Sequence, residues 1–156
     1  MSIQAGQKAP PFSLYDSDKN KVNLSDYAGK NILLLFFPLA FTSVCTAELC
    51  SVRDNLARYN QLNAEVFGIS VDSLHTLNRF KQDQQLNFRL LSDFNKEVSA
   101  EYGCLYDKFS FDMKGVSKRA AFVLDKNGIA KYAEVLENAG NQPDFNAIQH
   151  ALETVS

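Results

Sequence analysis

In the stretch FPLAFTSVCTAELC, residues 37–50, two cysteines stand five positions apart, just after a proline and a pair of hydroxyl side chains. Thr42 or Ser43 has the side chain of a helix N-cap, which puts Cys45 at the second or third helical position. Backbone N–H groups there lack partners inside the helix, and together with the helix dipole they favour a thiolate over a thiol. A thiolate attacks disulfides, electrophiles and peroxides. A peroxide also needs donors aimed at its oxygens, which the Thr42 hydroxyl and nearby amides supply, and a cation for the charge passing to the leaving oxygen. Arginine suits that post because it stays charged and presents a planar fork. A plainer reading fits the same residues, since free cysteine is among the most buried residue types and serves as a small core side chain. Local pattern leaves Cys45 open between the two, and burial is the first reading of Cys50 and Cys104. The five-residue spacing is awkward, because such positions lie about 140° apart round a helix.

The elements that must position these residues follow from the apolar pattern. Residues 31–37, NILLLFF, have no polar alternation, as expected of a central strand buried on both faces. From 43 to 62 apolar residues recur at helical spacing, and 65–71 is a second buried strand. Residues 73–84 form a helix with Asp72 or Ser73 as N-cap, 89–91 a short strand, and 95–102 a short helix closed by Gly103. Near the start, 12–15 and 21–24 flank DSDKN as a hairpin, followed by a turn over 25–30. Near the end, 119–124 and 129–135 flank the turn DKNG, and a last helix over 143–153 has Pro143 in its first turn. This order predicts an α/β fold of thioredoxin-like type, a central mixed β-sheet flanked by helices with an N-terminal β-hairpin extension, in a single domain over 1–156.

Composition narrows the chemistry. A net charge of -2 gives no electrostatic reason to expect nucleic acid or an anionic membrane as partner. The longest apolar run, 32–41, contains Pro38 and is too short to span a bilayer. The start MSIQAGQKAPPF lacks a basic segment followed by an apolar core, so no secretory signal is expected and the location is cytoplasmic. Three cysteines do not make a disulfide framework. His75 and His150 are the only histidines, and neither stands at ligand spacing from a cysteine, so no metal is expected.

PLAFTSVC carries Pro38, Thr42 and Cys45 in the peroxiredoxin active-site pattern: proline, three residues, threonine or serine, two residues, cysteine. PPFSLYDSDKNKVNLSDYAGKNILLLFFP, VFGISVDS, FRLLSDFNKEVSAEYG and KRAAFVLDKNG resemble peroxiredoxin segments in the same order, so the likeness covers nearly the whole chain. It is closest to the short bacterial types, the alkyl hydroperoxide reductase E-like group and the bacterioferritin-comigratory or Q-like group. The resemblance implies a thiol peroxidase without cofactor, metal or haem, reducing hydrogen peroxide and organic hydroperoxides through a sulfenic acid at Cys45. Thr42 would then hydrogen-bond thiolate and peroxide, Pro38 would shield the site from water, Arg119 would be the active-site cation, and Glu48 would orient it. Residue spacing alone does not select Arg119 over Arg53, Arg58, Arg79 or Arg89.

In the Q group the resolving cysteine often lies five residues after the peroxidatic one, as Cys50 does here. Helical positions five apart have Cα atoms about 8–9 Å apart, beyond the roughly 7 Å reach of a disulfide, so pairing requires the helix to unwind. The motif FPLAFTSVC equally resembles the one-cysteine group, in which an external thiol resolves the sulfenic acid. The resemblance implies thioredoxin or a low-molecular-weight thiol as reductant, and a monomer or homodimer. Tyr106, Phe109, Phe111 and Met113 line an apolar hydroperoxide pocket, a dimer contact, or only a packed loop. Two other classes compete: a disulfide oxidoreductase, disfavoured by the missing C-x-x-C, and a redox sensor or holdase that oxidises at Cys45 without turnover.

Overall fold

The computed structural model describes residues 2–155. Strand β3 (Asn31–Phe36) lies between β4 (Ala64–Ser70), which runs parallel to it, and β6 (Arg119–Leu124), which runs antiparallel. Its side chains alternate between two cores. Leu33 and Leu35, with Phe37 just beyond the strand, enter one; Ile32, Leu34 and Phe36 enter the other. With both faces covered, no position in 32–37 is left for a polar side chain on water, which accounts for the unbroken apolar run there.

The first core is closed by α1 (Ser43–Asp54), α2 (Leu56–Gln61), α3 (Leu74–Gln84) and α5 (Phe145–Val155), through Leu49, Val52, Tyr59, Leu77, Phe80, Ile148 and Leu152. The second holds Val98 of α4 (Glu97–Glu101) with Tyr102, Cys104 and Phe122. The sheet has seven strands in the order β2-β1-β5-β4-β3-β6-β7. The N-terminal hairpin, β1 (Ser13–Asp16) with β2 (Lys21–Asn23), is the edge of that sheet, since β1 pairs antiparallel with β5 (Arg89–Ser92). The hairpin of β6 and β7 (Ala130–Leu136) forms the other edge.

Two expectations need adjustment. The helix expected over 43–62 breaks at Asn55, whose φ of -114° and ψ of 14° leave the helical region. Its carboxamide donates to the Ser51 carbonyl at 2.8 Å, a local side-chain bond that competes with the helical ladder. Pro143 stands before the last helix rather than in its first turn. Asp144 is the cap, accepting the Ala147 N–H on its carboxylate at 3.1 Å and the Ile148 N–H on its carbonyl at 3.0 Å.

Register brings three chain segments to one end of the sheet. Phe36 pairs with Ile69 on one side and with Ala120 on the other. The chain leaving β3 at 37–42 therefore lies beside the chain leaving β4, and Arg119, opening β6, arrives at the same end. Ligands of open α/β sheets sit outside the carboxyl ends of the parallel strands, as this place is.

Candidate active site

The site begins where β3 stops. Phe37 still pairs with the neighbouring strand, its N–H donating to the Ile69 carbonyl at 2.9 Å. Pro38 is buried and has no N–H to continue the ladder. The loop then turns through Phe41, whose φ of 67° lies in the left-handed region, unusual for a bulky side chain. Its half-exposed ring meets the Phe80 ring edge-on at 5.1 Å. Thr42 follows as the extended residue before α1, and its carbonyl accepts the Thr46 N–H at 2.9 Å. Cys45 is thus the third residue of the helix, and its side chain is fully buried.

Beside the sulfur lies a buried guanidinium. Arg119 Nη2 donates to Cys45 Sγ at 3.2 Å and to the Ala139 carbonyl at 2.9 Å, while Nη1 donates to Glu48 Oε1 at 2.6 Å. Glu48 stands one helical turn after Cys45, on the same face of α1. Three acceptors, two from α1 and one from the chain at Ala139, thus converge on one planar fork, a task for arginine rather than lysine. Burial works against the Arg119 charge, yet Glu48 and Cys45 beside it hold its pKa above that of a free arginine. Burial pushes the Glu48 carboxyl up to about 7 against the opposing pull of Arg119, and Glu134 adds to the rise. Glu48 Oε2 and Arg119 Nε have no partner among the described residues, so the pair bears part of its desolvation cost uncompensated.

Pro38, Thr42, Cys45, Glu48 and Arg119 therefore gather at one end of the sheet. The Thr42 hydroxyl does not cap α1; it donates to the Leu39 carbonyl at 2.8 Å. Its oxygen keeps lone pairs for accepting, while donation to the sulfur would need the hydroxyl to rotate. Cys50 is on the same unbroken helix but is held elsewhere, with Sγ 3.5 Å from Gln84 Oε1 of α3. All three cysteines are free. Cys104 lies in the opposite core, 3.9 Å from Ser117 Oγ, and burial pushes its thiol up to about 12. Tyr106 and Phe109, with ring centroids 5.1 Å apart, line an open hollow of about 510 Å³ with Ala139 and Gly140. Phe111 is 95% exposed and stands outside it. Residue types did not point to the Ala139 carbonyl, because a backbone acceptor carries no sequence signal. Asp72 was expected only as a helix cap, yet its carboxylate accepts the Ala40 N–H in the Cys45 loop at 2.8 Å.

A thioredoxin-like sheet that delivers a buried helix-start thiol to a buried arginine defines a class of cysteine redox protein. The AhpC/TSA family model matches residues 5–133. Peroxiredoxin Bcp of Escherichia coli strain K12 is 39% identical over 128 residues, 81% of each chain. The reduced 2-Cys peroxiredoxin of Plasmodium vivax superposes with a TM-score of 0.86 at 31% identity, over 96% of this chain and 80% of that one. Peroxidoxin BcpB from Mycobacterium tuberculosis, 24% identical, shares the fold over 99% of both chains with a TM-score of 0.87. The chain belongs to the AhpC/TSA family and is a peroxiredoxin, a thiol peroxidase. No helix among the described residues is long and apolar enough to cross a membrane.

Proposed function

We propose that Cys45 is the peroxidatic nucleophile of a peroxidase acting on hydrogen peroxide and organic hydroperoxides. The observation that carries this reading is the 3.2 Å contact between Arg119 Nη2 and Cys45 Sγ, with both side chains buried. The thiolate attacks the terminal peroxide oxygen; an S–O bond forms as the O–O bond breaks, giving a sulfenic acid and an alkoxide or hydroxide that takes up a proton. Arg119 stabilises the sulfur anion before the step and the leaving oxygen after it. The Thr42 oxygen accepts from the peroxide O–H, and Pro38 keeps water from the sulfur. Glu48 is a positioning residue that acts through Arg119.

Cys50 then resolves the sulfenic acid. Its sulfur attacks that of Cys45, a disulfide forms, and the sulfenic oxygen leaves as water. An external dithiol such as thioredoxin, or low-molecular-weight thiols in a cytoplasmic setting, returns both cysteines to thiols while being oxidised itself. This step requires α1 to open, and the weak helix formers Ser43, Val44, Thr46 and Ser51 lower the cost. A second reading has an external thiol resolve Cys45 directly. It draws support from the contact of Cys50 with Gln84, which holds that sulfur within a continuous helix.

One equivalent of peroxide added to reduced protein, with intact mass followed over time, tests both. Wild type loses two hydrogens rapidly, Cys45→Ser shows no rapid change, and Cys50→Ser stops at the sulfenic acid. Peroxide consumption by Cys45→Ser at the wild-type rate would sink the assignment of Cys45. A wild type that itself stops at sulfenic acid would remove only the role of Cys50.

A further inference from the structure

We infer that Asp72 is a positioning residue for the peroxide reaction, acting on Thr42 through the peptide group between Leu39 and Ala40. The inference rests on the reading of Thr42 as the residue that meets peroxide. That peptide is gripped from both sides. Its N–H, on Ala40, donates to Asp72 Oδ2 at 2.8 Å, and its C=O, on Leu39, accepts the Thr42 hydroxyl at 2.8 Å. In a trans peptide the two groups point in opposite directions, so fixing one orients the other. A carboxylate on the N–H also polarises the carbonyl behind it and strengthens the bond from Thr42.

Asp72 is itself held by both strands that end beside the loop. Ser70 Oγ, at the buried end of β4, donates to Asp72 Oδ2 at 2.7 Å and accepts the Asp72 N–H at 3.1 Å. Ser92 Oγ, ending β5, donates to the Asp72 carbonyl at 2.6 Å. The carboxylate is not spent on capping α3, because Ser73 does that by accepting the Thr76 N–H. Asp72 therefore transmits the position of two sheet strands to a loop that must also hold Phe41 in the left-handed region. With the Leu39 carbonyl fixed, the Thr42 hydroxyl gives its proton away and presents oxygen lone pairs, the polarity that accepts a peroxide O–H.

The test is a double-mutant cycle of Asp72→Ala and Thr42→Val, read as the stopped-flow rate of Cys45 oxidation by hydrogen peroxide. Asp72→Ala slows the wild-type background about tenfold and the Thr42→Val background less than about twofold. Asp72→Asn, which keeps an oxygen acceptor for the Ala40 N–H, recovers most of the rate. Iodoacetamide alkylation of Cys45, which needs no peroxide, changes less than about twofold. Should Asp72→Ala melt below the assay temperature, Asp72→Ser takes its place in the cycle. Equal slowing in both backgrounds, or a parallel loss of alkylation, overturns the inference while leaving Thr42 in its role. A wild-type rate in Thr42→Val overturns the reading of Thr42 and this inference with it.

Discussion

Arg119 and Glu48, 71 positions apart in the chain, meet as an ion pair of 2.6 Å with both side chains sealed from solvent. A pair buried this fully gains little net stability, because two desolvation costs offset its attraction. Its consequence is geometric: Glu48 takes one arm of the fork and leaves the other to reach Cys45 and the Ala139 carbonyl. The charge beside the sulfur is thus built by α1 and β6 together.

Arg119→Lys is expected to slow peroxide oxidation of Cys45 by about a hundredfold, since one ammonium cannot serve three acceptors in a plane. Stopped-flow kinetics with hydrogen peroxide measures it. Arg119→Ala should in addition lower stability by about 3 kcal/mol at neutral pH, because Glu48 is left buried without its cation. Urea melts of the reduced protein give that figure.

Glu48→Gln tests the raised carboxyl. The folded pKa of about 7 stands above the ordinary 4.5, so between those values the folded chain holds a proton that the unfolded chain has lost. The contribution of this group to stability is therefore full below the lower value and lost as pH rises through the upper one. Wild-type stability relative to Glu48→Gln should fall across that window and level off above it, as read from urea midpoints at a series of pH values. A difference that stays flat would contradict the assignment.

Arg53 and Gln84 bear on the opening of α1. Arg53 Nη1 donates to the Gln84 carbonyl, and the Arg53 carbonyl accepts from Asn87 Nδ2 at 3.2 Å, tying the end of α1 to the end of α3 and the chain just after it. Arg53→Ala removes one tie and leaves both cysteines in the chain, while also taking away a charge that interacts with Cys50. It should speed formation of the Cys45–Cys50 disulfide about threefold, from the modest worth of one part-buried hydrogen bond, and reduce conversion of Cys45 to sulfinic acid at high peroxide. Quenched-flow mass spectrometry separates the two products.

Cys104 should be silent. With its thiol buried and pushed up to about 12, native protein should resist iodoacetamide at this position, and Cys104→Ala should oxidise Cys45 at the wild-type rate. Peptide mapping after alkylation, with and without urea, checks the first point.

Much of the architecture can be read along the chain because its signals are local. The unbroken apolar run of 32–37 marks a doubly buried strand, and DKNG marks the turn between β6 and β7. Asn55 and Pro143 are instructive exceptions. The break at Asn55 depends on its carboxamide choosing the Ser51 carbonyl, and the start of α5 depends on Asp144 taking the cap. Apolar periodicity carries neither choice. The candidate site divides in the same way. Pro38, Thr42 and Cys45 lie within one short motif, whereas Arg119 is one of five arginines that spacing alone does not distinguish among Arg53, Arg58, Arg79, Arg89 and itself.

By itself the sequence determined that a cysteine stands at a helix start just past a buried central strand, and that the family pattern surrounds it. Only the tertiary structure decided which charge reaches that sulfur and which residues hold the loop before it. The reason is register. Antiparallel pairing of Ala120 with Phe36 brings Arg119 to Cys45, and parallel pairing of Ile69 with Phe36 brings Asp72 to Ala40. Contacts made across strands depend on how distant segments align, and no spacing along the chain records that alignment.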